Sequence, residues 1–158
     1  MLTGKTALVT GGSRGIGAAI VEKLARLGAN VAVVYAGSQQ AAEDLCARCQ
    51  AEHGSKALAY QCDVADFAAV KDLVSQVKKD FGSVDILVNN AGVTQDGLLA
   101  MMKEESFDRV LDVDLKGAFN CIRHCAGLFL RQKAGAIVNI SSVSGLMGNA
   151  GQVNYSAA

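Results

Sequence analysis

The chain has 158 residues, of which 51% are hydrophobic and 19% are charged, so it is long and apolar enough to fold around a core. Fifteen Lys and Arg side chains balance fifteen Asp and Glu side chains, and this zero formal charge offers no basic field for nucleic acid or for an anionic membrane surface. The N-terminus lacks the apolar stretch of a signal peptide, and no apolar run approaches the ~20 residues that span a bilayer, so we expect a cytoplasmic protein. We expect one domain over residues 1–158.

The chain alternates short β-branched runs with longer stretches of helical periodicity. Strands are predicted over residues Thr6–Val9, Asn30–Tyr35, Ala57–Gln61, Ile86–Asn89 and Ala136–Ser141. Helices are predicted over Ile16–Leu27, Gln39–Glu52, Phe67–Phe81 and Phe107–Gln132, with Gly28, Gly54, Gly82 and Gly135 at or near their C-terminal ends. The alternation predicts an α/β fold with a doubly wound, Rossmann-like parallel sheet.

The first predicted strand runs into a glycine-rich turn, Thr-Gly-Gly-Ser-Arg-Gly-Ile-Gly at residues 10–17, which opens the first helix. Glycines let the backbone approach a ligand, and a helix N-terminus offers free N–H groups to an anion. The candidate cofactor-binding residues are Gly11, Ser13, Arg14, Gly15, Ile16 and Gly17. The spacing differs from the common Gly-x-Gly-x-x-Gly fingerprint, and a tight turn without a ligand is the alternative. The composition of the turn favours a pyrophosphate site, and hence a nucleotide cofactor.

No acidic side chain follows the second predicted strand, where a cofactor with a free ribose 2′-hydroxyl usually meets one. Arg14 in the glycine loop and Ser38 after the strand offer a cation and a hydroxyl instead. Because these groups suit a 2′-phosphate, we expect NADP(H) rather than NAD(H). A solvated surface charge is the alternative interpretation of Arg14.

The five cysteines are an odd number without a secretory context, so we expect reduced thiols. They are Cys46, Cys49, Cys62, Cys121 and Cys125. Two groups of them, one near His53 and one near His124, raise the hypothesis of a metal site, but neither supplies the four ligands of a structural zinc site. Buried small thiols explain these positions better, and no metal is expected.

Two further segments follow strands at the sheet edge where open α/β folds place their ligands. Asp63 and Val64 follow the third strand. The Asp63 carboxylate is predicted either to accept a hydrogen bond from an adenine amino group or to cap the next helix. Asn89, Ala91 and Gly92 follow the fourth strand, and the small side chains of the last two let a flat cofactor lie against the backbone.

The helix predicted over residues 107–132 carries apolar side chains on more than one face. A helix that covers one sheet needs only a single apolar stripe. The excess therefore predicts a second buried face in a subunit contact, or a helix that is sunk deeply in its own domain.

A serine leaves the fifth predicted strand, Ser142, and a tyrosine, Tyr155, follows about a dozen residues later. The Ser142 hydroxyl can hydrogen-bond a substrate carbonyl, and the Tyr155 phenol can donate a proton as hydride arrives. A phenol needs a nearby cation for this role, and a lysine four residues further on would share its helix face. That position, 159, lies beyond Ala158. A packed aromatic side chain is the alternative for Tyr155.

Taken with these motifs, the chain resembles the short-chain dehydrogenase/reductase family. The resemblance covers all 158 residues and rests on TGGSRGIG (10–17), NNAG (89–92), ISSVSG (140–145) and GLMGNAGQVNYSAA (145–158), supported by TQDGLLAMMKEE (94–105). It implies NADPH-dependent reduction of a 3-oxoacyl thioester, borne by an acyl carrier protein in fatty acid synthesis, to the 3-hydroxyacyl form. It implies that Ser142 orients the carbonyl and that Tyr155 protonates it and contacts the cofactor. It also implies a homotetramer in which the long helices pair. Arg131 and Lys133 either lie near the carrier-protein docking surface or simply form a charged helix end.

Two positions depart from the family pattern. Asp114 stands where the family has a catalytic Asn that helps hold a water of the proton relay, and an ionised carboxylate cannot donate a hydrogen bond. The family lysine would fall after Ala158, so we expect a C-terminally incomplete domain that lacks the family's last strands and helices. An active reductase in a longer reading frame is the first hypothesis. A non-catalytic NADP-binding fragment, and a reductase of another ketone such as acetoacetyl-CoA, are the alternatives.

Overall fold

The computed structural model describes residues Met1 to Ala158 and contains one parallel sheet of five strands, in the order β3-β2-β1-β4-β5. The strands are β1 (Thr6–Thr10), β2 (Asn30–Tyr35), β3 (Ala57–Gln61), β4 (Ile86–Asn89) and β5 (Ala136–Asn139). The helices are α1 (Gly15–Arg26), α2 (Gln39–His53), α3 (Phe67–Phe81), α4 (Glu104–Val110), α5 (Gly117–Gln132), α6 (Ser144–Met147) and α7 (Val153–Ala157). None of these helices is long and apolar enough to cross a membrane.

Helices cover both faces of the sheet at its centre, whereas the edge strand β5 is exposed, and two apolar clusters separate the layers. Along β1, Leu8 belongs to the cluster that packs under α3 and α5, and Val9 belongs to the cluster that packs under α1 and α2. Both side chains are fully buried. Successive side chains of a strand point to opposite faces, so this alternation means that β1 is buried on both sides. The predicted doubly wound parallel α/β fold is confirmed.

The long helix predicted over residues 107–132 differs in its start and in its middle. Helical backbone begins at Glu104, and residues Leu111–Lys116 form a π-helical turn between α4 and α5. Such a wide turn changes which side chains face inward and is frequent at functional sites. A short 3₁₀ turn (Leu99–Met101) and the short helix α6 have no counterpart among the predicted elements, whereas α7 corresponds to the helix expected around Tyr155.

Glycine ends three helices as predicted, but the fourth helix ends differently. Gly28, Gly54 and Gly82 have φ values of 92°, 65° and 86°, in the region that suits glycine. The prediction for Gly135 is wrong, because Lys133 ends α5 with φ 53°. Lys133 is the one residue other than glycine with a positive φ.

The outer side of α5 and its π-helical turn carries exposed apolar side chains. Leu115, Phe119 and Leu130 are 53%, 56% and 78% exposed, whereas Cys125 and Leu128 on the inner side are buried. The interpretation of this helix as sunk deeply in its own domain is therefore wrong for its outer face.

Candidate active site

The strand order places two loops opposite each other at the centre of the sheet. The chain order reverses between β1 and β4, which is the point where open α/β sheets bind ligands at the carboxyl ends of their strands. Two adjoining clefts open there, with volumes of about 300 Å³ and 590 Å³. Ile16, Val64 and Gly92 line both of them. One extended ligand can therefore occupy the two clefts together.

The glycine loop after β1 is tied to the loop after β4 by hydrogen bonds. The Thr10 hydroxyl oxygen accepts the N–H groups of Asn90 and Ala91 at 3.0 Å each. The Asn90 amide donates to the carbonyl oxygens of Thr10 and Gly11, also at 3.0 Å. A Cβ on Gly17 would overlap the Gly11 carbonyl oxygen and lie 2.6 Å from the Asn90 amide nitrogen. The loop thus holds its shape only with glycine at position 17.

The N-terminus of α1 faces the smaller cleft with its donors available. No side chain caps this helix, and its first turn contains no acidic residue. The cleft is lined by the predicted loop residues Gly11, Ser13, Arg14, Ile16 and Gly17. Gly15 begins α1 with φ 55° and has nothing within 4 Å of an added Cβ. Free backbone N–H groups and the positive end of the helix dipole make this turn suitable for a diphosphate.

Arg14 and Ser38 line the same end of the smaller cleft. Arg14 is exposed, and it forms none of the four ion pairs in the structure. Ser38 precedes α2, and its hydroxyl makes no capping hydrogen bond. No carboxylate lines the cleft at the end of β2, where Tyr35, Ala36 and Gly37 precede Ser38. A free cation and a free hydroxyl at this position fit a phosphate better than a ribose hydroxyl.

Asp63 lines the smaller cleft beside Val64, and it does not cap α3. Asp66 caps that helix, accepting the N–H groups of Ala68 and Ala69 at 2.9 Å and 3.0 Å. The capping interpretation of Asp63 is therefore wrong. One Asp63 oxygen instead accepts the Ala65 N–H at 3.0 Å, which closes a local turn in the β3–α3 loop.

Ser142 and Tyr155 line the larger cleft together with Asp114. The Ser142 hydroxyl oxygen accepts the Ser144 N–H at 3.2 Å, so its own proton is left to donate. Tyr155 is half-buried on α7, which follows α6 closely. The structure brings the two predicted catalytic hydroxyls to one cleft, adjoining the cleft of the glycine loop.

Asn154, next to Tyr155, is fully buried and holds α7 in place. Its amide donates to the carbonyl oxygens of Gln95 and Ser106 at 3.0 Å and 3.2 Å. Its side-chain oxygen accepts the Tyr155 N–H at 2.8 Å. The residue fixes the orientation of Tyr155 relative to the segment after β4 and to α4.

Asn89 is the last residue of β4, and Gly92 lies in the loop that follows. The Asn89 amide donates to the side-chain oxygen of Asn139 on β5 at 2.8 Å, and its own oxygen is buried without a partner. Asn89 lines only the larger cleft, and Ala91 lines both. A Cβ on Gly92 would come within 3.3 Å of the Asp114 carboxylate. The absence of a side chain at Gly92 keeps the floor of the clefts open.

Asp114 lies on the π-helical turn, and one of its carboxylate oxygens accepts a hydrogen bond from the Val93 N–H at 2.8 Å. Burial raises the pKa of this carboxyl, and the Val93 hydrogen bond and the Arg109 charge offset part of that rise. A protonated carboxyl can donate one hydrogen bond, whereas the ionised form only accepts. The carboxyl therefore becomes a donor at a higher pH than an exposed aspartate does.

Replacement of Asp114 by asparagine is expected to stabilise the fold at pH 7, because burial disfavours the ionised form of this carboxyl. The unfolded chain loses the Asp114 proton at lower pH than the folded chain, so stability falls as pH rises between the two pKa values. An amide oxygen can keep the Val93 hydrogen bond without that penalty. Urea unfolding from pH 3 to pH 8 should show the gain of Asp114→Asn growing with pH. A constant difference, or a loss at pH 7, would contradict the burial of this charge.

The five cysteines are all free and buried. Burial raises the pKa of Cys62, which lines the smaller cleft, to about 11, and that of Cys121 and Cys125 to about 12. They are therefore weak nucleophiles at neutral pH. No group of three or more His, Cys, Asp and Glu side chains is arranged to hold a metal ion. The His124 ring instead bonds the Phe67 carbonyl oxygen at 3.0 Å.

Two residues that support the clefts, Arg109 and Asn120, lie outside every motif of the sequence, and a third, Asn154, lies within the 145–158 motif but has no role predicted from it. Arg109 on α4 lines the smaller cleft and pairs with Asp63 at 3.0 Å. Asn120 on α5 donates to the Val64 carbonyl oxygen at 2.8 Å, and Asn154 anchors α7. A polar residue on an otherwise apolar helix face usually makes a specific hydrogen bond, and this pattern could have identified Asn120 from the sequence. Arg131 and Lys133 are exposed at the end of α5 and line neither cleft.

A family model, curated relatives and a solved structure all resemble this chain over nearly its whole length. A family model described as short chain dehydrogenase matches residues 5–158. The chain is 52% identical over 153 residues to the 3-oxoacyl-[acyl-carrier-protein] reductase FabG of Staphylococcus aureus, covering 97% of this chain and 62% of that protein. It is 48% identical over 157 residues to the 3-oxoacyl-[acyl-carrier-protein] reductase of Synechocystis, covering 99% and 63% respectively. A crystal structure of NAD⁺-bound xylitol dehydrogenase superposes with a TM-score of 0.93 at 33% identity, covering 99% of this chain and 60% of that one.

Proposed function

Because the chain belongs to the short-chain dehydrogenase family, we propose that it binds NADP(H) across its two clefts and serves the reduction of a 3-oxoacyl thioester to the 3-hydroxyacyl form. The observation that carries this proposal is the adjacency of the glycine loop cleft to the cleft that holds Ser142 and Tyr155. The two relatives named as 3-oxoacyl-[acyl-carrier-protein] reductases support an acyl carrier protein as the bearer of the substrate, in fatty acid synthesis.

The residues of the smaller cleft fit a dinucleotide. The uncapped N-terminus of α1 offers donors for the pyrophosphate, and Asp63 offers acceptors for an adenine amino group. Ala91 and Gly92 leave a flat floor toward the larger cleft, where Tyr155 lies. NADPH, when bound, supplies a hydride from its nicotinamide ring.

The hydroxyls of the larger cleft provide the remaining chemistry. Ser142 donates a hydrogen bond to the substrate carbonyl oxygen and holds the carbonyl in place. Tyr155 donates its phenolic proton to that oxygen, and with the hydride that bound NADPH would supply to the carbonyl carbon, the C=O bond would become a CH–OH group; the phenolate then regains its proton from solvent. Asn154 and the Ser144 N–H hold these two residues in place.

Arg14→Ala is expected to weaken NADPH binding about tenfold or more and to leave NADH binding unchanged. The guanidinium has no other partner, and a charge-assisted bond to a 2′-phosphate is worth roughly 1.5–3 kcal/mol. Fluorescence titration with both dinucleotides measures the two affinities. Arg26→Ala removes an exposed arginine from the other end of α1 and should change neither. An equal loss for NADPH and NADH would argue against a 2′-phosphate site.

The reaction is best assayed in the complete natural gene product, since this chain spans 62% of the length of the Staphylococcus aureus relative. With NADPH and an acetoacetyl carrier protein, we expect the 3-hydroxybutyryl thioester to form. Ser142→Ala and Tyr155→Phe should each reduce turnover at least about 100-fold. Tyr60→Phe removes a phenol hydroxyl that bonds Asp80 and lines neither cleft, and should leave turnover unchanged. Faster turnover of acetoacetyl-CoA, or of a simple ketone, would reassign the substrate.

We also propose that copies of the protein associate through the outer face of α5, as a homotetramer. Leu115, Phe119 and Leu130 form an exposed apolar strip on that face. Light scattering on the complete gene product measures its mass, and a monomer at micromolar concentration would refute this assembly.

A further inference from the structure

An ion pair crosses the rim of the smaller cleft, between Arg109 on α4 and Asp63 in the β3–α3 loop. The Arg109 guanidinium donates to one Asp63 oxygen at 3.0 Å, and both residues line the cleft. The two side chains are 41% and 46% exposed. They stand 46 residues apart in the chain, so only the fold brings them together.

The other oxygen of Asp63 is also held. It accepts the Ala65 N–H at 3.0 Å, and the loop that carries both residues is fixed to α5 through Asn120. The Asn120 amide is fully buried and donates to the carbonyl oxygens of Val64 and Ala65 at 2.8 Å and 3.3 Å. The carboxylate of Asp63 therefore has a fixed position relative to both α4 and α5.

A carboxylate held in this way still has acceptor capacity toward the cleft. Two oxygens offer about four lone-pair sites, and the contacts from Ala65 and Arg109 occupy two of them. The pair of Arg48 and Glu22 is comparably exposed, at 58% and 46%, but neither residue lines a described cleft. That pair is an ordinary surface contact and provides a comparison for the pair at the cleft.

We propose that Arg109 is a positioning residue for the adenine of the cofactor, acting by orienting the Asp63 carboxylate toward the exocyclic amino group. This inference rests on the proposed nucleotide site and adds to it a residue that determines base selectivity. Without Arg109, the Asp63 side chain is free to turn toward solvent, because the Ala65 N–H alone restrains it. The bond to the amino group would then compete poorly with water.

The test compares NADPH with its hypoxanthine analogue, in which an oxo group replaces the adenine amino group. We expect the parent chain to bind NADPH about tenfold more tightly than the analogue. Arg109→Ala should reduce that preference to about twofold, mainly by weakening NADPH, and Arg109→Lys should keep part of it. Arg48→Ala, the control, should leave the preference unchanged. Fluorescence titration gives every affinity.

A double-variant comparison separates positioning from direct contact. In an Asp63→Asn background, Arg109→Ala should cause no further loss of preference, because both changes remove the same oriented acceptor. A further loss would mean that Arg109 touches the base itself, which overturns the positioning role. An unchanged preference in Arg109→Ala, or an equal weakening of both ligands, also overturns it. If the parent chain binds neither dinucleotide, the proposed nucleotide function fails and this inference fails with it.

Discussion

Replacement of Gly17 by alanine is expected to abolish saturable NADPH binding, with a loss of at least about 100-fold, and to lower the free energy of unfolding by about 2 kcal/mol or more. An alanine Cβ would overlap the Gly11 carbonyl oxygen and crowd the Asn90 amide at 2.6 Å. Both belong to the hydrogen-bonded link between the loops after β1 and β4. Relief of the overlap must move the loop that we propose to hold the cofactor phosphates. Fluorescence titration and thermal unfolding measure the two effects.

Gly97→Ala is the matched control for Gly17→Ala. Gly97 lines neither cleft, has no positive φ, and has nothing within 4 Å of an added Cβ. We expect little change in its melting temperature and NADPH affinity. If Gly17→Ala binds NADPH as the parent does, the cofactor does not depend on the shape of this loop, and the proposed site is wrong.

Asn154→Asp is expected to destabilise the chain by roughly 3 kcal/mol at pH 7. The amide of the buried Asn154 donates to two carbonyl oxygens, those of Gln95 and Ser106. A carboxylate at this position loses both donors and places a negative charge against two acceptors. Because the residue fixes α7, the orientation of Tyr155 should be lost with it. Urea unfolding at pH 7 measures the stability change.

Asn149→Asp introduces the same charge at an exposed position, where the amide donates only to Gln152. Its effect should stay within about 0.5 kcal/mol. Equal effects of the two substitutions would mean that α7 is not anchored through Asn154.

The elements that position the site could be predicted closely because their signals are local. The strands β2, β3 and β4 and the helix α3 have the predicted bounds. Buried parallel strands are continuous in apolar residues, and helix ends carry glycine, so both patterns are visible within a short window. The prediction failed at the end of α5, where Lys133 adopts the conformation expected of glycine. Backbone hydrogen bonds close the helix there, from the Lys133 N–H to the Leu130 carbonyl oxygen and from the Ala134 N–H to the Phe129 carbonyl oxygen, against the usual residue preference.

The contacts that orient the site could not be predicted, because they join distant parts of the chain. Asp63 and Asp66 both follow β3 and look alike as helix caps, yet only Asp66 caps α3. Arg109 meets Asp63 across 46 residues, and Asn120 meets Val64 across 56 residues. The π-helical turn that carries Asp114 has no glycine or proline to mark it. The residues of the glycine loop form a motif, but Arg109 and Asn120, which hold Asp63 and its loop, do not.

The NADP(H) site is the feature on which every proposed role of these residues depends. Calorimetric titration of the 158-residue chain with NADPH and with NADH tests it most directly. We predict saturable binding of one NADPH per chain, at least about tenfold tighter than NADH, with the difference lost in Arg14→Ala. Absence of saturable NADPH binding, or tighter binding of NADH, would contradict the proposed cofactor and the roles assigned to Arg14 and Ser38.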